Sequence, residues 1–100
     1  MRILVFANNW VGWQIIDWLR SHGEQIVGLV LHPPERRRYG EEMIGSAGID
    51  RRSIFDGSRL KHGDTAVAIR ELRPDIGISA FFGYILRRDI LELMLSLIHI

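Results

Sequence analysis

The sequence predicts an α/β fold: an open parallel sheet of Rossmann-like β-α-β units with about four strands. Three observations predict it. The runs Arg2–Ala7 and Gln25–Leu31 are largely apolar and rich in Ile, Val and Leu, as strands covered on both faces of a parallel sheet are. The stretch Pro74–Leu86, PDIGISAFFGYIL, is a third such run and carries no charge after Asp75. Between the runs lie segments with apolar residues at helical spacing. Strands alternating with helices argue for a parallel sheet with right-handed crossovers.

Arg2–Ala7 is the first buried strand. Asn8 and Asn9 break it, being residues that favour turns and helix caps. From Trp10 to His22, Val11, Ile15, Trp18 and Leu19 recur at helical spacing, Ile16 widens the stripe, and Trp18 is assigned to the core. Gly23 stands where a helix C-cap belongs. Gln25–Leu31 is the second strand, ended by His32-Pro33-Pro34. Glu41–Ala47 is a short helix stopped by Gly48, and Ser53–Phe55 is a minimal third strand. A helix runs from Asp64 or Thr65 to Arg73, with Asp64 as cap, Val67, Ile69 and Leu72 among its apolar residues, and Pro74 just past its end. Ile76–Phe82 is the fourth strand, and Arg88 to about Met94 opens one more helix.

The composition sets bounds on function. One hundred residues make one small domain. Thirteen basic and twelve acidic side chains leave a net charge of +1, so attraction to nucleic acid or membrane would have to be local. The absence of cysteine excludes disulfides, thiolate nucleophiles and cysteine-ligated zinc. MRILVFA is too short to be a signal peptide or a spanning helix, and a cytoplasmic protein without a membrane partner is expected. The first strand-to-helix turn, ANNWVG, holds neither G-x-G-x-x-G nor the P-loop pattern. Its single glycine, Gly12, does not cradle a pyrophosphate in the usual way. The turn has two readings: helix amides that bind an anion, or an Asn8 or Asn9 that only caps the helix.

The carboxyl end of a parallel strand is where ligands dock in such sheets. The uncharged loop after the fourth strand, FFGYIL, is therefore a seat for a flat, partly apolar ligand. The plain alternative makes Phe81, Phe82, Ile85 and Leu86 core residues, whereas the Tyr84 hydroxyl wants a partner or water.

MRILVFAN at the start and SAFFGYILRRDILEL near the end resemble the N-terminal half of the formyltransferase catalytic domain. That fold is shared by methionyl-tRNA formyltransferase, glycinamide ribonucleotide formyltransferase and the sugar-amine N-formyltransferases. The resemblance runs in order from Met1 to about Leu93. It implies a folate-dependent formyltransferase, in which 10-formyltetrahydrofolate donates a formyl group to a primary amine on methionyl-tRNA, an amino sugar or a nucleotide sugar. Carried over by position, Tyr84, Ile85 and Leu86 line the pterin pocket and Leu91 faces it from the next helix. Phe82 and Gly83 lie between the folate and the acceptor. Asn8, Asn9, Trp10 and Gly12 sit beside the acceptor, with Trp10 flanking its pocket.

The resemblance also implies an asparagine and a histidine on the next strand, in a pattern of the type I-N-x-H-P-S-L-L-P, and a later aspartate. They stabilise an oxyanion and move protons. None can be placed in this sequence, so no catalytic residue is assigned. His99 follows Ile98 as in that motif, but Leu97 stands where asparagine belongs and no H-P-S follows. Leu95–Ile100, LSLIHI, reads as the translation of a sequencing-library adaptor. The expectation is then a formyltransferase-like unit over 1–94 and a non-native tail over 95–100, with an inactive fragment; the alternative is a genuine apolar helix end or strand. A sheet stopped at its fourth strand exposes an edge and invites aggregation.

The remaining candidates carry less. Arg36, Arg37 and Arg38 follow the second strand, where tRNA-directed relatives contact the acceptor stem; arginines there would bind phosphate, and the alternative is a solvated loop diluted by Glu35, Glu41 and Glu42. His22, His32 and His62 lie on separate segments without ligand spacing, so no metal site is expected. A reading from another class is a non-catalytic flavodoxin-like module accepting a different planar ligand at the same loop.

Overall fold

The computed structural model describes residues 1–84 and 86–100. Its central strand is β1 (Arg2–Ala7), which runs parallel to β2 (Gln25–Leu31) on one side and to β4 (Ile76–Ala80) on the other. Beyond β2 lies β3 (Ile54–Asp56), and beyond β4 lies β5 (Ser96–His99). All pairs are parallel, and the order is β3-β2-β1-β4-β5. The chain steps outward from β1 to β3, then crosses back to lay β4 on the free side of β1. Such a reversal opens a crevice at the carboxyl ends of the two strands.

Side chains alternate across β1 and divide the core in two. Ile3, Val5 and Ala7 join one cluster with Leu29, Leu31 and Ile78. It is closed by Ile16 and Leu19 of α1 (Asn9–Ser21) and by Met43, Ile44 and Ala47 of α2 (Gly40–Ala47). Leu4, Phe6 and Val30 face the other way. They meet Leu60, Ile69 of α3 (Gly63–Glu71), Ile90 of α4 (Arg88–Leu91) and Met94.

α1 ends in a Schellman motif. Gly23 takes φ +76°, its N–H donates to Arg20 O, and Glu24 N–H donates to Leu19 O. Two otherwise orphaned carbonyls are thereby satisfied, at a backbone angle glycine adopts without penalty. The buried row of α1 is Gly12, Ile16 and Leu19. A Cβ on Gly12 would stand 3.0 Å from Ala7 Cβ, so glycine lets the helix press close onto β1. That close approach sets the rotation of the helix. Trp18, assigned to the core from its spacing, is turned outward, 57% exposed and stacked on His22 at 4.0 Å.

Several element ends differ from the expected ones. β3 starts one residue later, at Ile54, and β4 stops at Ala80 rather than Phe82 because Phe81 adopts φ +56°. α3 has His62 rather than Asp64 at its cap position. α4 spans only four residues, and a fifth strand joins the four expected. Residues 96–99 lie along β4 in register from Ile76↔Ser96 to Ser79↔His99. Leu95 N–H donates to Asp75 O and Ile100 N–H to Ser79 O. An apolar run beside an unpaired strand satisfies both backbones by pairing, whatever its origin.

Candidate functional site

The carboxyl rim brings three loops together. The first follows β1. Asn8 N–H donates to Ala80 O at 3.2 Å, and Asn8 Oδ1 accepts from Arg38 N–H at 2.9 Å. Asn8 occupies the cap position of α1 without a side-chain capping bond. Its amide instead ties the rim of β1 to the ends of β4 and the β2 loop. Asn9, at φ +74°, donates its N–H to Arg38 O and accepts from Trp10 N–H through Oδ1. Trp10 is 51% exposed beside them. Gly12 is buried against Ala7 and Met43, so its visible role is helix-to-strand packing.

The second loop follows β4. Phe81 is exposed, in the left-handed region that costs a non-glycine residue about 1–2 kcal/mol. Phe82 turns inward: its ring meets Phe6 edge-on at 5.5 Å and covers Gly57. Tyr84 is half-buried, 5.6 Å from the Phe82 ring. Leu86 packs against the cluster containing Phe6 and Ile90, whereas Leu91 is exposed. Ile85, assigned to the pterin pocket by the resemblance, lies outside the described residues.

The third loop supplies a residue to which sequence reasoning gave no function. His32, directly after β2, sits 5.4 Å from the Phe82 ring and 5.2 Å from the Tyr84 ring. Its Nε2 accepts the Gly83 N–H at 2.9 Å. Burial, and then the nearby Arg36 charge, hold its pKa below the ordinary histidine value. The signal was present in the sequence. The first polar side chain after a largely buried parallel strand stands at the carboxyl rim, as Asn8 does after β1. Arg37 folds back so that its Nε donates to His32 O at 2.8 Å, while Arg36 and Arg38 remain exposed.

A recess of about 370 Å³ opens beside the β4 loop, lined by Gly57, Ser58, Leu60, Lys61, Tyr84 and Arg87. That size falls within the range of small-molecule sites. Tyr84 and Leu60 give the recess an aromatic and an aliphatic wall, and Lys61 and Arg87 add two cationic side chains to its lining. Among the described residues no cluster of histidine and carboxylate side chains could hold a metal ion. None of the described helices is long and apolar enough to cross a membrane.

The fold and rim define an open-sheet α/β domain of Rossmann-like type with an aromatic-glycine loop at its topological switch. No protein-family model matches the chain. It is similar to methionyl-tRNA formyltransferase of a Synechococcus species, 30% identical over 98 residues, covering 92% of this chain and 29% of that protein. The enzyme of the same name from Prochlorococcus marinus is 30% identical over 84 residues, 77% of this chain and 24% of the relative. That of Chloroflexus aggregans is 29% identical over 98 residues, 93% and 32%. The chain thus spans less than a third of the length of these relatives. The resemblance carried by MRILVFAN and SAFFGYILRRDILEL extends along most of the chain, as expected of a part of a formyltransferase.

Proposed function

We propose that this chain is the donor-side part of a folate-dependent formyltransferase, which moves a formyl group from 10-formyltetrahydrofolate to a primary amine. The observation that carries the reading is the aromatic-glycine loop Phe82–Tyr84 at the carboxyl rim, beside Asn8 to Trp10, in a chain similar to formyltransferases over 92% of its length. When bound, the folate supplies the one-carbon unit. Tyr84 and Leu86 give its ring apolar walls and exclude water, and Phe82 holds the loop down on Phe6. Asn8, Asn9 and Trp10 border the space for the acceptor. The relatives' name favours methionyl-tRNA as that acceptor; the ANNW turn and the Phe81-Phe82 pair suit an amino sugar or its nucleotide conjugate. In this reading the asparagine, histidine and aspartate that act on the formyl group lie outside these residues, and the 100-residue chain binds without turnover.

Titration of the chain with 5-formyltetrahydrofolate, followed by tryptophan fluorescence, tests the reading. Tyr84→Ala and Leu86→Ala are each expected to weaken binding by about three- to tenfold, the effect of losing one aromatic or aliphatic wall. Wild-type binding no tighter than that of both variants overturns it.

A further inference from the structure

We propose that His32 is a positioning residue: its neutral imidazole latches the β4 loop by accepting the Gly83 N–H, and protonation of Nε2 releases the loop. The geometry supports this. Nε2 lies 2.9 Å from Gly83 N, so it must present a lone pair, which an imidazolium lacks. The ring is in contact with both neighbours of Gly83, at 5.4 Å from Phe82 and 5.2 Å from Tyr84. The same loop holds Phe81 at φ +56°, a conformation that persists only where the surroundings enforce it. Asn8 N–H on Ala80 O fixes one side of Phe81, and the latch fixes the other.

The charged groups on the surrounding elements are mostly basic: Arg38 and its neighbours in the turn after β2, with Glu35 among them, and Lys61 and Arg87 beside Tyr84 in the recess. Arg36 and Arg37 lie in the turn after β2, and the Arg37 Nε is occupied by His32 O. Tyr84 faces the ring from the β4 loop. Asp56 ends β3, with Oδ1 accepting from Ser58 N–H and Oγ–H. Burial and Arg36 both favour the neutral ring. Because the folded-state pKa is depressed, the contribution of His32 to stability is complete above the ordinary histidine value of about 6.5. It is lost as pH falls below that value towards the folded-state pKa.

The effect on ligand affinity rests on the proposed function; the latch itself does not. The test uses the whole 100-residue chain without ligand, following the Gly83 amide and the His32 ring by NMR. Expected is a Gly83 protection factor that falls about tenfold as the ring protonates, the equilibrium weight of one ordinary hydrogen bond. In His32→Gln, whose side-chain carbonyl can accept the same bond without titrating, protection stays and is flat with pH. In His32→Leu it is lost at every pH. Protection that ignores the ring's titration in the wild type, or that survives unchanged in His32→Leu, overturns the proposal. Affinity for 5-formyltetrahydrofolate should then fall in acid for the wild type and stay flat for His32→Gln. Absence of folate binding at any pH would sink the proposed function alone, since the Gly83 signal still decides the latch.

Discussion

On one face of the sheet, the thirteen-residue α1 and α2 bury Ile16, Leu19, Met43, Ile44 and Ala47 against Ile3, Val5 and Ala7. On the other, α3 and the four-residue α4 contribute only Ile69 and Ile90 to the buried cluster. The thinner cover is continued by the loop residues Phe82 and Leu86, which pack into that second cluster. A face closed by helices resists opening, whereas one closed partly by a loop opens locally at lower free energy. The α1–α2 face thus acts as the scaffold. The α3–α4 face carries the loop at which the folate is proposed to bind.

That contrast can be broken by substitution. The largest effect is expected from Ile16→Ala, at about 3–4 kcal/mol in urea unfolding, because the scaffold face cannot collapse around the cavity. Ile90→Ala should cost about 2 kcal/mol, the low end for such a truncation, since α4 and its neighbouring loop can settle inward. Equal losses in the two variants would erase the distinction between the faces. Gly12→Ala should cost about 1–3 kcal/mol, the usual range for overpacking, because its Cβ would meet Ala7 Cβ at 3.0 Å. A neutral result in thermal melts would mean that α1 can shift on β1. The smallest effect is expected from Phe81→Gly, a gain of no more than about 1 kcal/mol. Relief of the left-handed backbone is partly offset by the greater freedom of the unfolded chain. A clear loss instead would reveal that the exposed ring contributes packing.

The sheet was legible in the sequence because strands buried on both faces are written as uninterrupted Ile, Val and Leu, a local signal. Arg2–Ala7 and Gln25–Leu31 are strands with the expected bounds. What depends on a partner was harder to read. Trp18 was misassigned because helical spacing alone does not say which row faces the sheet, and the deciding residue, Gly12, has no side chain to count. β5 falls on the apolar run 95–100, for which a helix end or a strand was the alternative to an adaptor-derived tail, and only its pairing with β4 makes it a strand. The rim loop was recognisable from its lack of charge and its aromatic-glycine composition. Its partner His32 was marked only as the first polar residue after β2, because the bond to Gly83, 51 residues away, leaves no local sign.

The opposite end of the sheet is fastened just as firmly. Arg2 N–H donates to Asp75 Oδ2 at 2.8 Å, Asp75 N–H donates to Arg2 O at 2.7 Å, and Arg2 Nε donates to Leu72 O at 2.8 Å. Met1 projects beyond this clamp, 77% exposed. A dye or affinity handle joined at the amino terminus would therefore leave from the far pole of the molecule, a full strand length from the rim. Immobilised through that point, the chain would present its aromatic loop to solution.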